Sequence, residues 1–444
     1  MRPPRPPGLR LLLGAGVLLL AACAAPQKRP AEAPPVPAPT LPPPVHAPAP
    51  AAAVKPAPEA SPWQRLRTRF EFDACSYRPE VQRIARNYAS HPATFTRSWR
   101  EAMPFFLLVL EEIERRDLPG EFALLPYVES RYRPEAALGN RPGGMWQLMP
   151  ATARAAGLRI DASFDQRLDA LEATAVALDL IERYERMFAD WRVADLAFNT
   201  GEFRMQKLLS GREASTLSAG ELAKLHPLAQ QHLDRLLALA CIIAAPERFG
   251  VDLPEPEIGD HLAVVPLEAG MDLRLAARLA GVSRADMQRW NAAFRRDRMP
   301  SEVAYRLLMP EIVAARFRDA VADIPRPLWA DWHEERASRS GTIGDWAAEH
   351  GIDIGVLAAA NGVDPDERIL HNTRLLLPGA TAEPALAQAR EALPDIHVVS
   401  PGDTLWRIAR RYSMPLERLR RLNPRMQATL RPGDRIRVGI GRNE

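Results

Sequence analysis

A chain of 444 residues exceeds what one hydrophobic core usually organises, so several domains are expected. The 58 basic and 55 acidic residues leave a net charge of +3 without a long basic block, which argues against nucleic acid as a partner. The 3 cysteines share no ligand-like spacing and no histidine cluster accompanies them, which excludes a disulfide scaffold and a zinc site. Nothing in the sequence calls for a metal or an organic cofactor.

Residues 1–23 have the features of an export signal, with arginines before an apolar run of about a dozen residues that is too short to span a bilayer. The segment ends in LAAC, which resembles a bacterial lipobox, in which Cys23 becomes the acylated N-terminus of a lipoprotein. No aspartate follows the cysteine to indicate retention in the inner membrane. The resemblance therefore implies a lipid anchor on the periplasmic face of the outer membrane. An ordinary signal peptide with an incidental cysteine is the alternative.

Residues 24–62 are rich in proline and alanine and nearly free of large apolar side chains. Much of the excess among the chain's 43 prolines lies in this N-terminal part. Such a segment cannot build a core, so we expect a disordered, extended tether between the anchor and the folded part.

Residues 63–257 show apolar residues at spacings of three and four, in runs that end at proline or glycine. No alternating strand pattern interrupts these runs, so an all-α domain is expected here. Cys75 and Cys241 both fall in this domain. An oxidising periplasm permits a disulfide between them, and the sequence leaves the paired and unpaired states open.

The segment LPYVESRY in this domain contains a glutamate among apolar residues. If the segment forms one helix, Leu125, Val128 and Tyr132 lie on a single apolar arc. Glu129 falls inside that arc, between Leu125 and Phe122. A carboxylate in this position is a packing fault, a structural ion pair or a catalyst. An apolar setting raises the pKa of a carboxyl group, which would suit a general acid near neutral pH.

Two further segments, GGMWQLMPATARAAGL and WRVADLAFNTG, supply aromatic rings and amides, which stack on sugar rings and bond to hydroxyl or N-acetyl groups. The second segment is predicted to be a helix that stops at Gly201. In order and spacing, these segments and LLPYVESRYRPEA resemble the lytic murein transglycosylases of the goose-lysozyme-like fold. The flanking segments are most similar to the membrane-bound type D group. The resemblance covers about residues 63–310 and the repeats that follow.

The resemblance implies a peptidoglycan lytic transglycosylase that cleaves the β-1,4 bond between N-acetylmuramic acid and N-acetylglucosamine with a single carboxylate. Glu129 would protonate the glycosidic oxygen and then take the proton of the C6 hydroxyl that closes onto C1, leaving a 1,6-anhydromuramoyl end. No second acid stands out as its partner, in contrast to ordinary glycosidases. Contacts with substrate are implied for Ser130, Gln147, Met149, Phe198, Asn199 and His232.

Three departures from the family pattern leave the activity open. Phe198 stands where the family usually has a tyrosine, and Leu138–Pro142 replace a Ser-x-x-Gly-Ala approach to the glycine turn. His232 stands where a later tyrosine is expected, and is either a substitute hydrogen-bonding group or a surface histidine. The alternatives are therefore a catalytically lapsed protein that binds or scaffolds peptidoglycan, or a lysozyme-like hydrolase in which water attacks.

Three segments after the helical domain repeat an extended start, a helix, the pattern xxLxxxN and a Leu/Val-rich strand. They predict small βααβ units that resemble LysM modules, which bind N-acetylglucosamine-containing glycans. The units are predicted at residues 258–312 (degenerate), 328–380 (divergent) and 396–440, with a linker at 381–395. The first two either bind glycan or serve as spacers or docking surfaces. For the last unit the resemblance implies glycan contacts from Gly402, Asp403, Thr404, Leu405, Asn423 and Pro424.

The expected fold class is therefore a multidomain protein, with an all-α lysozyme-like catalytic domain followed by small α+β LysM modules. Its expected partners are peptidoglycan glycan strands and, through the lipid anchor, a membrane. The sequence does not determine the oligomeric state.

Overall fold

The computed structural model describes residues 60–134, 140–300, 303, 305–322, 324–350, 352–379, 396–400, 403–412, 416–424 and 430–438. The predicted signal peptide with Cys23 and nearly all of the predicted tether lie outside these residues, as do Leu138, Gly139 and Gly402. Within the described part of the chain, no helix has the length and apolar character needed to cross a membrane.

Helices are the regular secondary structure of the predicted catalytic domain, and the first β-strand of the described residues begins only at Leu262. The helices are α1 (Pro62–Arg67), α2 (Pro79–Ala89), α3 (Pro92–Arg115), α4 (Leu125–Ser130), α5 (Pro150–Ala155), α6 (Ala170–Phe188), α7 (Trp191–Thr200), α8 (Glu202–Leu209), α9 (Ala219–Leu225), α10 (Pro227–Ala244) and α11 (Pro246–Phe249). Short 3-10 helices lie between them at Ala74–Ser76, Gly120–Leu124, Gln166–Leu168 and Ala214–Thr216. The predicted fold class is confirmed.

Carboxylates at the helix starts explain where α6 and α7 begin. The Asp169 side chain accepts hydrogen bonds from the backbone N–H groups of Leu171 and Glu172, and Asp190 caps α7 in the same way. These N–H groups have no partner within the helix, and a negative charge also opposes the positive end of the helix dipole. The loop between the two helices is short, so α6 and α7 pack against each other.

An aromatic core fixes α3 against α4. Trp63 and Phe106 stack with their ring centroids 4.8 Å apart, and Trp99 and Tyr127 stack at 4.2 Å. All four rings are buried. Burial of each side chain of this size contributes roughly 2–3 kcal/mol. Because Tyr127 belongs to α4, this core determines the position of the helix that carries Glu129.

A disulfide joins Cys75, in the 3-10 helix Ala74–Ser76, to Cys241 in α10, with the two Cα atoms 4.8 Å apart. The sequence had left this pairing open. The bond closes a loop with a sequence separation of 166 residues. Closing a loop of this length in the unfolded chain stabilises the folded state by about 5 kcal/mol in the chain-entropy account.

The structure corrects the predicted helical arc around Glu129. Phe122 belongs to the 3-10 helix Gly120–Leu124 and α4 ends at Ser130, so Tyr132 does not share a helical face with Leu125. Two successive residues, Arg131 and Tyr132, adopt left-handed backbone angles with φ of 57° and 60°. This turn carries Tyr132 into the core, where it is fully buried and its hydroxyl donates to the carbonyl of Ala123. Core burial of the ring compensates for a backbone conformation that costs about 1–2 kcal/mol per residue.

Three βααβ units follow, as the repeats predicted. Their strands are β1 (Leu262–Pro266), β2 (Arg306–Pro310), β3 (Trp332–Arg336), β4 (Gly341–Thr342), β5 (Arg368–Ile369), β6 (Arg374–Pro378), β7 (Ile396–Val398) and β8 (Arg435–Arg437). Their helices are α12 (Leu273–Ala280), α13 (Arg284–Trp290), α14 (Glu311–Val321), α15 (Ile343–Glu349), α16 (Ile354–Asn361), α17 (Leu405–Arg411) and α18 (Leu416–Leu422). Antiparallel pairs join β1 to β2, β3 to β6, β4 to β5 and β7 to β8.

The asparagine of the xxLxxxN pattern has the same place in every unit. The amide nitrogen of Asn291 donates to the carbonyls of Met287 and Leu308, and its oxygen accepts from the Leu308 N–H. Asn361 and Asn423 repeat this arrangement with the last strands of their own units. The repeated asparagine therefore links the second helix of each unit to its final strand.

The first unit packs against the catalytic domain. Phe294 lies against Phe164, with ring centroids 5.2 Å apart. Arg306 donates to both carboxylate oxygens of Asp169, at 2.9 and 3.0 Å, and Asp169 is also the cap of α6. These contacts agree with a docking surface, one of the two readings that the sequence allowed for this unit.

Candidate active site

Three elements distant in sequence meet at Glu129. The acid lies on α4, α7 contributes Asp195, and α10 contributes His232, because α10 packs against both α4 and α7. The side chain of Glu129 is 17% exposed, whereas Asp195 is 0% and His232 5% exposed. Glu129 is thus the member of the group that a ligand can reach.

The histidine bridges the two carboxylates. Nε2 of His232 lies 2.9 Å from Oε1 of Glu129, and Nδ1 lies 3.2 Å from Oδ2 of Asp195. The other oxygen of Asp195, Oδ1, is buried and has no hydrogen-bond partner among the described residues. His232 is therefore not a surface histidine, and both of its ring nitrogens have partners within the protein.

The two acids determine the charge of this histidine. Burial lowers the pKa of His232, but the charge of Asp195, its hydrogen bond and the hydrogen bond and charge of Glu129 outweigh burial and raise the pKa to about 10. The trio of Glu129, His232 and Asp195 consequently retains a proton on the imidazole at neutral pH. In addition to the apolar setting expected from the sequence, a buried imidazole contacts the carboxylate of Glu129 directly.

Ser130 connects α4 to the glycine turn. Its Oγ lies 2.9 Å from the carbonyl oxygen of Met145 and 3.2 Å from that of Pro126, and it accepts a hydrogen bond from the N–H of Arg133. The predicted substrate contact of Ser130 is not tested by these bonds. They show that the hydroxyl holds the end of the acid's helix against the next segment.

The glycine turn at residues 143–148 depends on a buried arginine. A Cβ at Gly144, which has a φ of +74°, would come within 1.8 Å of the carbonyl oxygen of Arg167, so only glycine fits. The guanidinium of Arg167 pairs with Asp165 and donates to the carbonyls of Arg141 and Leu148. Sequence reasoning missed this pair, since nothing in DQRLD separates a buried arginine from an exposed one.

The side chains of the glycine turn differ in their availability. Trp146 is fully buried and its Nε1 donates to Oγ1 of Thr174, so it serves the core. Gln147 has a φ of 48° and its amide donates to the carbonyl of Gly144 at 2.7 Å. Met149 is 47% exposed. Of these residues, Met149 and the half-buried Gln147 lie within reach of a ligand.

The predicted end of α7 is confirmed, because the helix stops at Thr200 and Gly201 follows with a φ of 87°. Phe198 is half-buried, with its ring edge-on to Trp146 at 6.3 Å, and Asn199 is exposed. Phe198 lies one helical turn after Asp195. The helix that lacks the expected tyrosine hydroxyl thus brings a carboxylate to the site instead.

Asp195 was missed in the sequence. A carboxylate within the apolar run VADLAF was the available signal, by the same reasoning that selected Glu129. Its partner is 37 residues away in the chain, and a contact between two helices does not follow from the pattern of either one.

The predicted glycan residues of the last unit have partners inside it. Asp403 accepts from the N–H of Ser400 at 2.7 Å and lies 2.9 Å from Nε2 of the buried His397. Thr404 is exposed, and its hydroxyl accepts from the N–H of Arg407. Leu405 is half-buried and Pro424 is exposed. Pro424 and Asn423 line a surface groove, although the amide of Asn423 is used by the fold.

Comparisons with known protein families match three parts of the chain. Residues 111–217 match the transglycosylase SLT domain, residues 261–326 match the family described as "Lytic transglycosylase MltD, LysM-like domain", and residues 397–439 match the LysM domain. The chain carries the SLT domain of a lytic transglycosylase. This SLT match includes Glu129 and Asp195 but ends before His232.

Curated relatives agree with this assignment. The chain is 27% identical over 356 residues to "Membrane-bound lytic murein transglycosylase D" of Escherichia coli (strain K12), covering 77% of each protein, and equally similar to the protein of that name from Escherichia coli O6:H1. It is 36% identical over 110 residues to the "Putative tributyltin chloride resistance protein" of Alteromonas sp. (strain M-1), covering 24% of this chain and 53% of that protein. The resemblance inferred from the motifs, a lytic transglycosylase with LysM domains, is confirmed.

Proposed function

We propose that this lytic transglycosylase cleaves the β-1,4 bond between N-acetylmuramic acid and N-acetylglucosamine in peptidoglycan and leaves 1,6-anhydromuramoyl ends. Glu129 acts first as general acid and then as general base. The observation that supports this proposal most is the unequal exposure of the two acids. Glu129 is 17% exposed, whereas Asp195 is fully buried behind an imidazole.

This inequality favours the C6 hydroxyl over water as the attacking group. A hydrolase of the two-carboxylate kind needs a second acid that contacts water or the sugar. Asp195 cannot do either, since Oδ2 faces His232 and Oδ1 is buried. The reaction therefore returns to Glu129, whose carboxylate removes the proton of the C6 hydroxyl as that oxygen bonds to C1.

Product analysis on purified sacculi tests this function. The wild-type protein should release muropeptides with anhydro ends, which differ by one water from reducing ends in mass spectrometry. Glu129→Gln keeps the size of the side chain but has no acidic proton, so release should fall at least 10³-fold while binding to sacculi persists. Reducing ends would indicate a hydrolase, and no release by the wild type would indicate a lapsed enzyme.

We also propose the domain bounds drawn from the sequence: a signal peptide (1–23), a tether (24–62), a catalytic domain (63–257), LysM-like units (258–312 and 328–380), a linker (381–395) and a LysM module (396–440). The match to the LysM domain supports binding of glycan through residues 396–440, and we retain Asp403, Thr404 and Pro424 as its proposed contacts with Gly402, Leu405 and Asn423. On the catalytic domain, the proposed substrate contacts remain Ser130, Gln147, Met149, Phe198, Asn199 and His232.

We propose further that Cys23 carries a lipid that holds the protein at the periplasmic face of the outer membrane. The lipobox-like LAAC and the membrane-bound relatives support this localisation. Cys23→Ser should move the protein from the outer-membrane fraction to the soluble fraction of the envelope and abolish labelling by palmitate. Retention and labelling of the variant would contradict the anchor.

A further inference from the structure

The three acid–base groups of the site share their protons. Nε2 of His232 contacts Oε1 of Glu129 at 2.9 Å, and no hydrogen bond from the described residues reaches Oε2. The oxygen Oε2 is therefore available to a substrate, while Oε1 is committed to the imidazole. Asp195 holds the opposite ring nitrogen from a fully buried position.

Two arrangements of this trio contain the same number of protons. In the first, an imidazolium lies between two carboxylates. In the second, the proton of Nε2 has crossed to Glu129, and the neutral ring still donates its Nδ1–H to Asp195. Interconversion moves one proton from Nε2 to Oε1, and rotation about the Cγ–Cδ bond of Glu129 turns the protonated oxygen toward the substrate. A protonated Glu129 is therefore accessible without uptake of a proton from solvent.

We propose that Asp195 and His232 are positioning residues that keep a proton available to Glu129 at neutral and alkaline pH, an inference that rests on the proposed function. When the C1–O bond breaks, its electron pair goes to the glycosidic oxygen, which takes the proton of Glu129. Of the two protons, only that on Nδ1 of the neutral ring then remains, and the carboxylate of Glu129 is ready to act as a base. Glu129 then takes the proton of the C6 hydroxyl as O6 bonds to C1, so the trio ends with its original protons.

The geometry distinguishes this role from simple packing. A buried ion pair adds little stability compared with apolar side chains of similar size, because removing both charges from water costs about as much as their attraction returns. Asp195 nevertheless lies fully buried with one oxygen lacking a partner among the described residues. The desolvation cost of burying Asp195 is explained by the effect that its charge has, through the imidazole of His232, on the exposed Glu129.

Other ionisable groups near α10 are engaged elsewhere. On α10 itself, Asp234 pairs with Arg78, and His226 caps the helix by accepting from the N–H of Ala229. Other ionisable groups on packed elements include Tyr88 on α2, whose pKa burial raises against the charges of Arg235 and Arg131, and Glu221 and Lys224 on α9. They also include the buried Glu121 in the 3-10 helix Gly120–Leu124, whose carboxylate accepts from the N–H groups of Glu71 and Phe72. The charges that act directly on the imidazole are therefore Asp195 on α7 and Glu129 on α4.

The test is the pH profile of anhydromuropeptide release by the full chain, for the wild type, His232→Gln and Asp195→Asn. Glutamine can donate a hydrogen bond to Oε1 but cannot lend a proton. We expect release by the wild type to persist into the alkaline range. In His232→Gln the alkaline limb of the profile should lie more than one pH unit lower than in the wild type. Above that limb, the rate of release by the variant relative to the wild type should fall about tenfold for each pH unit. Asp195→Asn should shift the limb in the same direction.

His226→Asn is a matched control on the same helix, since asparagine also caps a helix start, and its profile should follow the wild type. Circular dichroism establishes that each variant is folded. Asp195→Asn retains His232 and so tests the proton relay from His232 to Glu129 without loss of the imidazole. Parallel profiles, in which His232→Gln is slower by one constant factor at every pH, would overturn the relay while leaving the proposed function intact. A wild type without anhydro products would overturn both.

Discussion

Among the described residues, two buried histidines each bridge a carboxylate to a second group, one in the catalytic domain and one in the C-terminal LysM module. In the catalytic domain, His232 lies between Asp195 and Glu129. In the C-terminal LysM module, His397 lies between Asp403, at 2.9 Å, and the hydroxyl of Tyr412, at 2.8 Å. The two histidines are equally buried, with 5% of each exposed.

The partners of the two rings account for their different roles. Asp403 also accepts from the backbone of Ser400, so its charge is shared with the loop, and the second partner of His397 is a tyrosine hydroxyl and not a carboxylate. His232 contacts two carboxylates, one of which has no other partner among the described residues and is open to ligand. The same bridging geometry thus organises a loop in one region and supplies protons in the other, according to the number of acids that the ring contacts.

The largest difference expected between the two regions comes from the disulfide, which only the catalytic domain contains. The disulfide ties α10, which carries His232, to the 3-10 helix Ala74–Ser76, whereas the LysM module contains no cysteine. Cys75→Ser combined with Cys241→Ser should lower the free energy of unfolding of the catalytic domain by about 3–5 kcal/mol. Hydrogen exchange resolved by peptide should show faster exchange in α10 and no change in 397–438. Equal acceleration in both regions would contradict independent stability.

A second difference concerns the dependence of stability on pH. The folded state raises the pKa of His232 from 6.5 to about 10. Its stabilising contribution is therefore complete below pH 6.5 and is lost as the pH rises through 10. Between pH 7 and pH 10 the wild type should lose on the order of 2–4 kcal/mol of unfolding free energy relative to His232→Gln, measured by urea denaturation. Identical slopes in the two proteins would contradict the charge assigned to this ring.

The smallest expected effect belongs to the LysM module. Truncation after Ala380 should weaken binding to sacculi by about tenfold, which corresponds to about 1.4 kcal/mol, and leave turnover of short soluble glycans unchanged. His397→Gln removes the ring that holds Asp403 and should weaken binding in the same direction but less. Unchanged binding by the truncated protein in a sedimentation assay would contradict the proposed role of the module in binding sacculi.

Motifs in the sequence were sufficient to select Glu129, to end α7 at Gly201 and to predict the βααβ repeats. Each of these features depends on residues close together in the chain, where helical spacing, a glycine stop or a repeated pattern acts locally. The asparagine of the repeat was also found, but its amide proved to link a helix to a strand in all three units. A recurring residue can thus mark a requirement of the fold as readily as a ligand contact.

The tertiary structure alone decided what surrounds the acid. The sequence by itself determined the domain types and the identity of the candidate catalyst, because those depend on local pattern. The left-handed turn at Arg131 and Tyr132, the buried pair of Asp165 and Arg167 and the contact of Asp195 with His232 depend on packing between distant segments. Burial in that packing makes charges interact strongly, so the proton supply of Glu129 is a property of the assembled helices.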